Sequence, residues 1–217
     1  TVMTRTLSHR LALALLIGSL SAHGLADDSK PDLVTWAVGE VRADDSGALL
    51  YREHHLAPDT DALPVRVEYR AAGENSEPFA EKTLDHSVRA SAPAMDFMDR
   101  RRNVRIVTRY PDPSAADRLE LAYYPDADGE PEHETFDTDS LIVDAGFDPF
   151  VRQHWDRLVD GERIVADFLV PSRGDTVRVS LRQVDTQYCD TPIDDVRCFE
   201  VRPAGMLRLV GWLVDPI

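Results

Sequence analysis

Three histidines and their acidic neighbours are the first residues that could do chemistry. Glu53, His54 and His55 close one apolar segment, and Asp85 and His86 close another. Two imidazoles and a carboxylate, brought together by neighbouring strand ends, would suit zinc. Consecutive strand residues point to opposite faces, however, so His54 and His55 cannot easily share one ion. Histidines flanking a strand at the surface are the commoner outcome. Asp126, Asp128 and Glu130 around Gly129 are similar to a fragment of a calcium loop. The glycine comes too early for that loop and no helix precedes it, so an acidic turn explains the same residues. No metal and no cofactor is assigned.

Nucleophiles are equally sparse. There is no G-x-S-x-G elbow, no dinucleotide fingerprint and no phosphate loop. Ser172 stands in the turn-like stretch Val170-Pro171-Ser172-Arg173-Gly174 with no neighbouring base to activate it. Acidic pairs are too numerous for any one to be singled out as a glycosidase dyad. The expectation is therefore a protein without catalytic residues. Arg100, Arg101 and Arg102 form the only basic cluster, readable as a grip for a phosphate or carboxylate head group or as a solvated turn between strands. Cys189 and Cys198 are the only cysteines, and Asp190–Asp195 between them is turn-like. In an exported protein such a pair reads as a disulfide closing a short hairpin.

The elements that would position these residues are mostly strands. Period-two alternation and β-branched content mark Val34–Arg42, Ala48–His55, Val65–Arg70, Phe79–His86, Val104–Tyr110 and Leu119–Tyr124. A second series follows at Arg163–Val170, Thr176–Val184, Arg197–Val201 and Met206–Val214. Between the two series, Asp148-Pro149 reads as an N-cap with Pro at the first helical position. Phe150, Val151, Trp155, Leu158 and Val159 then recur at helical spacing until Gly161. Phe147 is placed to staple back on Val151 or Trp155. The loop Pro125–Asp139 is the most polar stretch and is expected to be mobile.

This pattern predicts a mainly β, β-rich α+β fold. Its form is a large curved antiparallel sheet, half-barrel-like, with one amphipathic helix packed on its concave face. A closed sandwich is the alternative. Residues 1–26 read as a signal peptide: Arg5 and Arg10, the apolar run Leu11–Ile17, then small residues to Ala26. The apolar run is too short to span a bilayer. Residues 27–217 form the single predicted domain, exported to the periplasm and without a transmembrane span. Met206–Ile217 (MLRLVGWLVDPI) ends inside an apolar run, which predicts a truncated terminus. The chain of 217 residues carries 24 Lys+Arg against 39 Asp+Glu, a net charge of −15. That balance excludes nucleic acid as a partner and disfavours anionic membrane surfaces.

The exported signal, antiparallel strands and single amphipathic helix together resemble, in outline, the half-barrel lipoprotein carriers and receptors of the Lol type. Gly47–His55 (GALLYREHH) and Phe79–Asp85 (FAEKTLD) are also similar to segments of uncharacterised proteobacterial periplasmic proteins. The Lol resemblance implies a concave apolar surface for acyl chains and no catalytic residue. Three functions follow for testing. The first is a binding or carrier module holding a lipid or other apolar small molecule in a groove lined by Phe150, Val151, Trp155 and Phe168. The second is a structural or interaction protein whose strand edges or acidic loop meet an envelope protein. The third, which trails both, is a metal-dependent hydrolase using His54 and His86.

Overall fold

The structure is a computed structural model, and it describes residues 32–204 apart from 74–75 and 189–195. The first eight strands run up and down in chain order: β1 (Val34–Arg42), β2 (Leu49–Ala57), β3 (Arg66–Ala71), β4 (Pro78–Asp85), β5 (Ala94–Asp99), β6 (Val104–Arg109), β7 (Arg118–Tyr124) and β8 (Glu132–Asp137). Each pairs antiparallel with its sequence neighbour, giving an open eight-stranded sheet. Short β9 (Leu141–Ile142) then pairs parallel with β10 (Ile164–Val170). With β11 (Asp175–Val184) and β12 (Cys198–Pro203) they make a second sheet in the order β12-β11-β10-β9. The protein is mainly β, as its alternation predicts.

Each face of the large sheet follows from that alternation. Val67 and Tyr69 on β3, Lys82 and Leu84 on β4, Met95 and Phe97 on β5, and Leu119 and Leu121 on β7 point inward. Leu141 and Leu169 of the second sheet, with Val143 just after β9, pack against this face. The outer face carries arginines and glutamates paired across strands, such as Arg70 with Glu68 at 2.6 Å and Arg105 with Asp96 at 2.6 Å. The join between sheets is close. Val143 donates its backbone N–H to Ser91 O at 3.0 Å, and a Cβ placed on Gly146 would fall 1.9 Å from that same oxygen.

Two helical segments, α1 (Phe147–Gln153) and α2 (Trp155–Val159), occupy the predicted helical stretch. They break at His154, whose φ of −109° and ψ of 15° leave the helical region. Asp148 is not the N-cap. Gly146 holds that position without a side-chain bond, while Asp148 lies inside the first turn and pairs with Arg152 at 2.7 Å. The helical layer covers the second sheet, not the large one: Phe150 and Leu158 pack with Ile142, Ile164, Ala166, Val179 and Leu181. The β9–β10 parallel pair requires a crossover, and these helices supply it on the sheet's free side. Three strands had no clear signal, one of them the two-residue β9. β5 hides behind Pro93, and β8 lies within the stretch expected to be a mobile loop. Five of the six β8 residues are exposed and only Phe136 packs on the core, so its composition is that of a loop. The expected Met206–Val214 strand lies outside the described residues.

Candidate functional site

The inner face of β2–β5 carries a row of partly buried aromatic rings, of which Tyr69 and Phe97 pack against the core. Tyr51, Tyr69, Phe79 and Phe97 are linked by centroid distances of 5.7–6.3 Å, with the Tyr51–Phe79 and Tyr69–Phe97 pairs edge to face. Such contacts add about 1 kcal/mol each beyond area burial. A bulge in the β3–β4 pairing at Tyr69/Arg70 turns Phe79 into this row. Arg101, from the turn after β5, lays its guanidinium 3.2 Å from the centre of the Phe79 ring. That turn is held by the buried Asp99 carboxylate, which accepts the Arg101 N–H at 2.9 Å.

A second cation, this one buried, lies within the row. Lys82 takes an inward position between Ala80 and Leu84 and is 4% exposed. Its Nζ stands 5.3 Å from the Tyr69 ring centre and 5.7 Å from that of Phe97, and donates to the Asp144 carboxylate. Asp144 follows β9 with a positive φ of 44°. Burial works against the Lys82 charge, but the Asp144 carboxylate and Tyr69 outweigh it and raise its pKa above the ordinary lysine value. Burial pushes Tyr69 up to about 12, against the opposing pull of Lys82. Both side chains are therefore fixed at neutral pH, one as an ammonium and one as a phenol. The pair was missed in the sequence although Lys82 carries a signal: a lysine in an apolar slot of a period-two strand.

The sequence-derived candidates are scattered. His54 faces outward beside a cleft of about 590 Å³ that Val38, Arg52, Leu56, Glu68 and Arg70 also line. His55 faces inward, 3.6 Å from Glu53 and with its ring centre 6.4 Å from that of Trp36. His86 is engaged at both nitrogens, 3.2 Å from Ala90 O and 3.1 Å from Pro64 O. Among the described residues, no three His, Cys, Asp or Glu side chains come together as a metal set. Asp126 and Asp128 instead accept the Asn103 amide at 2.7 and 3.3 Å. Of the predicted groove, Phe150 is 4% exposed, and Val151 and Phe168 pack against the same cluster. Trp155 stands 43% exposed, edge-on to Phe199 at 5.3 Å. Cys198 is buried on β12 and Cys189 lies outside the described residues, none of which is a free cysteine. No helix among the described residues is long and apolar enough to cross a membrane.

No protein-family model, curated protein or solved structure matches the chain.

Proposed function

We propose that this chain is an exported, non-enzymatic binding protein of the periplasm that takes a lipid or other apolar ligand. The proposed surface is the aromatic inner face of β2–β5 and not the space between sheet and helix. The carrying observation is the row Tyr51, Tyr69, Phe79 and Phe97, whose rings are only partly buried beside the closed core. Partly accessible aromatic surface beside a closed core offers an apolar ligand a place to bind. The signal-like residues 1–26 support export. The separation of His54, His55 and His86 onto two faces and a turn supports a non-enzymatic reading.

The test is native mass spectrometry of protein expressed from the full-length gene and purified from a bacterial periplasm without detergent. A lipid-sized adduct is expected, lost on denaturation and absent from a Tyr51→Ala/Phe79→Ala variant. The denatured mass should also be lower by about two hydrogens for a Cys189–Cys198 disulfide. A bare monomer would refute the ligand. Weight would then pass to an envelope protein as partner at β1, where Val34, Val38 and nearby Leu50 are 41%, 47% and 53% exposed.

A further inference from the structure

Lys82 and Asp144 form an unequal pair. The Lys82 side chain is 5% exposed and that of Asp144 is 41% exposed. The carboxylate is thus the side of the pair that meets solvent, and Tyr69 and Phe97 frame the ammonium behind it. Asp144 belongs to the connection between β9 and α1, so it reaches Lys82 from outside the large sheet. Its carboxylate is the group that also heads a fatty acid, and the aromatic row lies beside the pair.

We propose that Lys82 is the recognition point for the carboxylate of a long-chain amphiphile, and that Asp144 occupies this point as an internal carboxylate until such a ligand displaces it. The proposal rests on the inner face being a ligand surface and goes beyond it by naming the head group and its competitor. A buried ammonium left unpaired is costly, whereas exchanging one carboxylate for another keeps it paired. A neutral head group cannot make that exchange. Asp144 also lowers the apparent affinity for any acid, because only the fraction of molecules with the pair open can bind.

The experiment is calorimetric titration of the purified full chain with dodecanoate, dodecanol and acetate. Dodecanoate should bind at least about tenfold more tightly than dodecanol, and acetate should not bind over the same range. Asp144→Asn removes the competing charge, and Asn tolerates the positive φ. It should tighten dodecanoate by about tenfold. Lys82→Met should abolish the preference for acid over alcohol. Equal binding of acid and alcohol would overturn the proposal while leaving the inner face as an apolar site. Unchanged dodecanoate affinity in a folded Asp144→Asn variant would do the same. Binding of neither chain-length ligand would overturn both readings. If Asp144→Asn fails to fold, the ratio of acid to alcohol in the native protein and in Lys82→Met decides.

Discussion

Tyr69 and Lys82 hold protons that the unfolded chain would lose first. Tyr69 ionises at about 12 when folded, against 10.0 for the free side chain, and Lys82 is likewise raised above 10.5. Between those limits the folded state binds more protons, so its stability is complete below about pH 10 and falls as pH rises. A melting series from pH 9 to pH 12 should show that fall, of the order of 2 kcal/mol for Tyr69 alone. Tyr69→Phe should remove part of it and leave the neutral-pH melt little changed. An equally steep fall in Tyr69→Phe would refute the assignment. Half of this site was legible beforehand. Lys82 breaks the apolar slot series Ala80, Lys82, Leu84, so its inward direction could be read from β4 alone. Asp144 could not be found that way, because it lies 62 positions on and reaches Lys82 only through the docking of the second sheet.

The helical layer is a packed element at one end and a surface at the other. Leu158 is fully buried, whereas Trp155 rests on Phe199 with almost half its surface in water. Leu158→Ala should cost about 3 kcal/mol, and Trp155→Ala about 1 kcal/mol, in urea unfolding. Comparable costs at both positions would contradict the packing seen here. Spacing alone located this layer, since Phe150, Leu158 and the intervening apolar residues follow the helical repeat. Periodicity did not say which sheet the layer would cover, because that depends on the parallel pairing of Asp167 with Leu141 and Phe168 with Ile142. Two-residue β9 is too short to show any period. The polar edge strand β8 shows the opposite difficulty: with one core contact, at Phe136, alternation has almost nothing to record.

Across the whole molecule, charge of one sign dominates while most described arginines sit in close pairs. Contacts such as Arg109 with Glu120 at 2.9 Å and Arg182 with Glu200 at 2.9 Å are well inside the screening length of about 8 Å at physiological salt. Repulsion among the excess acids of a chain carrying −15 acts over longer distances and is the part that salt removes. Raising sodium chloride from 10 to 150 mM should therefore raise the melting temperature by about 2–4 °C. A decrease would mean that the paired arginines contribute more than exposed ion pairs usually do.

The strand order also has a consequence for how the chain is made. Eight strands that each pair with the one before can zip together in chain order as an exported chain emerges beyond the membrane, with only short loops to close. Yet the inner face they build, with Val67, Leu84, Met95, Leu119 and Leu121, has no cover until residues 141–169 arrive. For that interval the nascent protein is a finished sheet with a bare apolar side. Aggregation is expected to be most severe in that interval, and refolding yield should fall most steeply with concentration in a chain ending before residue 141.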